Sequence, residues 1–173
     1  IPVDYGMRTN IENIYAAGDV IPTPMLANVA FIEGEIAANS AAGQASEPID
    51  YNSIPNVVYT EVQVASIGLT EEQVIARNMD YSVGKQPLIG TFKSSITSER
   101  EGFIKVIAEN NTGKLLGAHI LAVEAAELIQ GFIIAKNAGL TVRDIQKAIP
   151  PNPTFSESVV YACKSVFGKT VRG

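Results

Sequence analysis

The chain is poor in the residues from which reactive sites are most often built. It has one cysteine, Cys163, and one histidine, His119, in 173 residues. An intrachain disulfide is therefore impossible, and a Cys/His zinc cluster within one chain is excluded, so no metal site is expected. Positive charge is scarce too: 13 Lys+Arg stand against 18 Asp+Glu, a net charge of −5. Nucleic acid and anionic membrane surfaces attract clustered Lys and Arg, so neither is expected as a partner. No apolar run reaches the roughly 18 uninterrupted residues that a membrane span needs. An initiator Met and a targeting segment are missing as well. The opening Ile1-Pro2 reads as the edge of a piece of something longer. One lone cysteine fits a reducing, cytoplasmic setting.

What remains is the composition of a folded protein. Hydrophobic residues make up 46% and charged residues 18%, which excludes disorder. The length suits one or two small domains. Two unequal parts are expected, 1–45 and 50–173, joined across the Ala-, Gly-, Ser- and Pro-rich stretch from Ala41 to Pro55. In the first part, Ile14 to Ala17 reads as a buried strand ended by Gly18-Asp19. Asn28 to about Ala42 carries apolar residues at helical spacing, with Gly43 as its C-cap.

In the second part, Val57–Thr60, Val64–Gly68 and Tyr81–Val83 read as strands. Thr70 and Gln73 form a capping box at the start of a helix that runs to about Asn78. Gly102–Ala108 and Lys114–Ile120 flank Asn110-Asn111-Thr112-Gly113, the pattern of a β-hairpin. Residues 122–138 form the strongest helix, apolar around most of its circumference except for Glu124, Glu127, Gln130 and Asn137. Such a helix needs more cover than one sheet face supplies, which points to an oligomer interface. Gly139 stops it, Thr141–Ala148 reads as a short helix, and about 155–167 as the last one. The expected fold class is α+β, a mainly antiparallel sheet with flanking helices.

An apolar strand ending in Gly18-Asp19 before a helix suits a nucleotide or flavin. Glycine lets a ligand approach the backbone, a carboxylate accepts from sugar hydroxyls, and the helix start supplies N–H donors. On spacing alone an ordinary strand–turn–helix reads equally well. Near the end, Asn152-Pro153 reads as an N-cap followed by proline at the first helical position. Thr154 with Glu157 reads as a second capping box. His119 and Cys163 read as structural, and the stripe Phe155, Val159, Ala162 and Val166 as core or dimer interface; Glu71-Glu72 and Glu99-Arg100-Glu101 read as solvated faces.

The wording of four segments goes further than their spacing. Thr9 to Asp19 with Ile14-Tyr15-Ala16-Ala17-Gly18-Asp19, the run Val64 to Glu71, the hairpin words Gly102-Phe103-Ile104-Lys105 and Leu115 to Ile120, and Asn152 to Glu157 together resemble the pyridine nucleotide–disulfide oxidoreductases. The nearest wording within that family is that of dihydrolipoamide dehydrogenase, with mercuric reductase-like enzymes close behind. The resemblance implies a C-terminal remnant of an FAD-binding domain (1–45) followed by a dimerisation domain (50–173). It implies FAD and NAD(P) as cofactors of the full-length parent, a homodimer, and a small-molecule disulfide or related substrate. By position it assigns Gly18 and Asp19 to FAD, and Met25, Leu26 and Ala27 to the flavin edge. It assigns Glu157 to the catalytic segment that a subunit lends to its partner. Asn152 stands where the family carries a His acting as general acid–base, and an amide cannot titrate. The GxGxxG loop and cysteine pair of the family are absent, so the isolated chain is expected to be inactive and to retain no cofactor. The alternatives are a non-catalytic dimerisation module and a mercuric reductase-like flavoenzyme without the C-terminal His base.

Overall fold

The structure, a computed structural model, describes residues 1–168. The last five residues of the expected 50–173 domain lie outside the described residues. The chain forms two compact units, Ile1–Tyr51 and the residues from Asn52 onward.

The larger unit is built on a five-stranded sheet. Its strands are β1 (Asn56–Val58), β2 (Gln63–Gly68), β3 (Tyr81–Pro87), β4 (Phe103–Glu109) and β5 (Leu115–Ala122), in the order β1-β2-β5-β4-β3. Every neighbouring pair is antiparallel. The expected hairpin is β4–β5, with a register shift at Ile107/Ala108. Gly113 closes its turn at φ +73, donating to the Glu109 carbonyl. The central strand β5 is buried along most of its length, as Leu115, Leu116, Ala118, Ile120 and Ala122 show. Both of its faces are therefore covered.

Helices supply that cover. Helix α4 (Ala125–Asn137) lies on β2 and β5, and α6 (Ser156–Ser165) on β3 and β4. Phe132, Ile129 and Leu128 of α4 join Phe155, Ala162 and Cys163 in one core with Ile67, Ile104 and Ile120. Gly84 is what lets α6 approach β3: a Cβ there would stand 2.2 Å from the Ala162 carbonyl oxygen. The opposite sheet face meets α2 (Glu71–Ala76), where Val74 packs with Ile107 and Leu116. The Thr70/Gln73 capping box forms in full. Helix α5 (Val142–Ile145) starts on a second box, Thr141 with Asp144. The lysine beside it and the Thr141 donors hold the Asp144 carboxyl far below the usual carboxylate range.

The smaller unit is one long helix, α1 (Ala27–Ala41), preceded by a 3-10 turn at Gly18–Val20. Gly43 at φ +73 ends α1: its N–H reaches the Ser40 carbonyl and that of Gln44 reaches Asn39, a Schellman closure. The core is small, Met7, Ile21 and Ile36, with Val3, Ala16, Ala37 and Ile49 around it.

Two expectations need correction, those for Ile14–Ala17 and for Glu71, and two features go beyond what was expected. Ile14–Ala17 is no strand but a single bridge, Arg8 to Tyr15, because this unit offers it only one short partner segment. Within the single chain, helix α4 is buried on one face: Ala125, Ile129 and Phe132 point inward, while Gly131 and Ile134 face out, Ile134 with 57% exposure. One sheet supplies cover for one face. A further helix, α3 (Phe92–Thr97), follows β3; its Ser-rich start hides a cap by Thr91, which accepts from the Ser94 amide. Glu71 is no freely solvated charge, since it pairs with Lys105 at 2.5 Å and accepts from the Tyr81 hydroxyl at 3.1 Å.

Candidate functional site

The site residues expected from sequence fall into two sets, one in each unit. In the smaller unit, Gly18 takes φ +75, a conformation that favours glycine, and opens the 3-10 turn that carries Asp19. Its backbone lies directly on α1, where a Cβ would meet the Ala30 methyl at 3.3 Å. Asp19 is exposed and makes no hydrogen bond or ion pair among the described residues. Leu26 is the N-cap of α1 and offers no side-chain cap, so the first amides of α1 keep their donor capacity. Ala27 begins the helix, Leu26 is half-buried, and Met25 is 71% exposed. Here are an open carboxylate on a glycine turn and uncapped helix donors on adjoining segments. That donor and acceptor set fits a dinucleotide with hydroxyls and phosphates, FAD among them.

Sequence reasoning missed the group that holds this turn. Glu33 of α1 is fully buried; its Oε2 accepts from the Gly18 amide at 2.7 Å and its Oε1 from the Tyr51 hydroxyl at 2.9 Å. Burial, then the Glu33 carboxylate, pushes the Tyr51 phenol up to about 12. On a helix, a Glu between Ile32 and Gly34 looks like any surface charge, and its partners lie 15 and 18 residues away.

In the larger unit the structure brings Asn152 and Glu157 together. Asn152 Nδ2 donates to Glu157 Oε1 at 2.7 Å. The Thr154 amide donates to Oε2 at 3.2 Å, and the Tyr161 hydroxyl reaches Oε1 at 3.4 Å. Glu157 is buried, yet its donors are all neutral. The second capping box is therefore half made, because the Thr154 hydroxyl turns to the Pro151 carbonyl instead. Nor is Asn152 an N-cap: α6 starts at Ser156 with Phe155 in the cap position, and the Asn152 amide is spent on Glu157. The peptide bond between Asn152 and Pro153 is cis. Glu157 and Tyr161 line a cavity of about 470 Å³ walled by Ile89 and Phe92. Tyr161 and this cavity carried no signal in the sequence.

A second hollow, about 410 Å³, runs along the outward face of α4, with Gly131, Ile134, Leu140 and Ile149 among its lining. It is apolar, and Ile149 is 95% exposed. The two remaining singletons are structural. His119 Nε2 lies 3.1 Å from the Leu69 carbonyl oxygen, and burial pushes the Cys163 thiol up to about 12. Among the described residues no cluster of three metal-ligating side chains exists, and no helix is long and apolar enough to cross a membrane.

Comparison with known proteins places these features. Residues 54–163 match the family described as pyridine nucleotide-disulphide oxidoreductase, dimerisation domain, and residues 1–34 match pyridine nucleotide-disulphide oxidoreductase. The chain is 37% identical to a dihydrolipoyl dehydrogenase of Halobacterium salinarum, over 99% of its own length and 36% of the relative's. It is 40% identical to a leghemoglobin reductase of Glycine max, over 98% of the chain and 32% of the relative. Among solved structures, LpdA of Mycobacterium tuberculosis superposes with a TM-score of 0.87 at 29% identity, covering 94% of this chain and 35% of that one. The HOCl-induced flavoprotein disulfide reductase RclA of Escherichia coli, solved as a Cu(II) complex, gives 0.88 at 26%, covering 94% and 37%. The chain thus spans about a third of the length of these proteins.

Proposed function

The chain belongs to the pyridine nucleotide-disulphide oxidoreductases, and from that premise we propose that it is the C-terminal third of an FAD-dependent, NAD(P)H-linked enzyme resembling dihydrolipoamide dehydrogenase. The observation that carries the proposal is the open Asp19 carboxylate on the Gly18 turn, beside the uncapped start of α1. In this reading Asp19 accepts from hydroxyls of the ribityl–pyrophosphate stretch, and Gly18 supplies the left-handed turn that presents it. Met25, Leu26 and Ala27 line the flavin edge. Bound FAD would supply hydride and electron transfer between the nicotinamide and a disulfide or related small molecule. This chain's residues bind and orient it; the larger unit pairs with its copy and lends Asn152 and Glu157 to the partner's site.

The larger unit is a dimerisation domain; the surface we assign to the pairing is the apolar outward face of α4 with Leu140 and Ile149. The chain alone is inactive and colourless in this account, a docking module for the rest of the protein. A cytoplasmic setting is the reading favoured by the single, buried Cys163.

One observation favours a variant of this activity. Glu157 is engaged by an amide that cannot titrate, so no proton is exchanged at Asn152 near neutral pH. That suits a flavoenzyme of mercuric reductase-like type, whose acceptor needs no imidazole base. The test is flavin content and acceptor range of the full-length protein. Asp19→Ala should strip flavin, and unchanged flavin absorbance would remove Asp19 from the site.

A further inference from the structure

We infer that Glu33 is a positioning residue for the flavin site: its buried carboxylate, held by Tyr51, fixes the Gly18 peptide so that Asp19 is presented to the dinucleotide. The inference rests on the FAD reading of the Gly18–Asp19 turn. Its physical starting point is a carboxylate with 0% exposure and no cationic partner among the described residues. Burying a charge this way is costly unless strong hydrogen bonds offset the loss of water. Glu33 has two, and both are specific. Oε2 takes the Gly18 N–H at 2.7 Å, a short charge-assisted bond, and Oε1 takes the Tyr51 hydroxyl at 2.9 Å.

The geometry shows what the bonds hold. Gly18 has a left-handed backbone, a conformation it shares with its own alternatives at little steric cost. A glycine free at that point would sample several turns, and Asp19 would swing with each. Ala30 and Glu33, one helical turn apart on α1, form the floor and the latch that select one of them. Tyr51 sits at the end of the same unit, so the closing segment of the unit restrains the latch.

The experiment uses the full-length flavoprotein and follows FAD release by the recovery of flavin fluorescence. It is run beside the thermal midpoint of the apoprotein and hydrogen exchange at the Gly18 amide. Glu33→Ala should release FAD at least about tenfold faster, with Gly18 exchange accelerated and the apoprotein midpoint little changed. Glu33→Gln can still accept from Gly18 and donate to Tyr51, so it should stay within about threefold of the parent. Tyr51→Phe, a substitution that keeps the packing, should speed release about threefold by freeing the latch. If Glu33→Ala fails to fold, the Tyr51→Phe result decides, and unchanged release overturns the inference. Release that rises only as the apoprotein loses stability overturns it as well. Asp19→Ala separates the two levels. If Asp19→Ala strips flavin while the Glu33 and Tyr51 variants hold it, the latch is wrong and the FAD site stands. If none of them affects flavin, the FAD reading itself fails.

Discussion

The two units solve the burial problem differently. From Asn52 onward the chain closes a continuous core, sheet against α4 and α6, with a second small cluster under α2. Residues 1–51 close only a patch around Met7, Ile21 and Ile36, and leave Ile11, Ile14, Val20 and Phe31 in the open. Phe31 alone is 78% exposed, on the outward side of the best helix of that unit. Small units bury too little apolar area to offset chain entropy. The larger unit closes a core of its own, and the smaller one leaves much of its apolar surface uncovered. What the smaller unit invests in is polar: Glu33, Gly18 and Tyr51 hold a turn rather than a core.

The sharpest way to break this contrast is to damage the larger core. Phe132→Ala should cost about 3–5 kcal/mol, read as a lower urea midpoint of a single cooperative transition. Ile36→Ala should shift that transition by far less. Equal shifts would mean that the two cores are one. Asp19→Ala comes next: in the full-length protein it should weaken FAD retention about tenfold or more, as loss of a charged hydrogen-bonding partner does, and leave the urea midpoint in place. Asn152→His is a smaller step. With Glu157 already oriented by Thr154 and Tyr161, the new imidazole should raise turnover of a dithiol substrate at least about tenfold, with a pH profile that gains a limb near its titration. No gain at any pH would count against placing Asn152 at the partner's site.

Much of this contrast was visible in the sequence, and the gaps have physical causes. The Thr70/Gln73 box and the Asn110–Gly113 turn are local: their partners lie within a few residues, so spacing announces them. The β4–β5 hairpin is local in the same way, whereas the β2–β5 pairing that makes β5 central joins residues far apart in the chain, and spacing does not announce it. Glu33 could not be found that way, because nothing in a helical repeat marks one Glu as buried. Asn152 was misplaced as a cap for a related reason. Cap preference describes a side chain bonding to nearby backbone, whereas here the amide reaches a carboxylate five residues on. Ile14–Ala17 looked like a strand because the residues suit one; pairing, which composition does not record, is what it lacks.

The smallest expected effects are alkaline. The Tyr51 phenol sits at about 12 in the folded unit, above its unfolded value of about 10. A raised pKa means its contribution is intact below about pH 10. It is lost as pH climbs toward about 12, and loosening of the smaller unit should track phenolate absorbance over that window. Cys163, also at about 12 by burial, should resist a thiol reagent at about pH 8 until the larger unit unfolds. Prompt labelling of the native chain would show that α6 is not seated as described.

The central claim is that the larger unit pairs with its own copy through the outward face of α4. Sedimentation equilibrium of the 173-residue chain tests it most directly, run beside an Ile134→Glu variant. The account predicts a particle of twice 18.4 kDa for the parent chain and of 18.4 kDa for the variant. A parent chain that stays at 18.4 kDa at every concentration, or a variant that pairs as well as the parent, would contradict it.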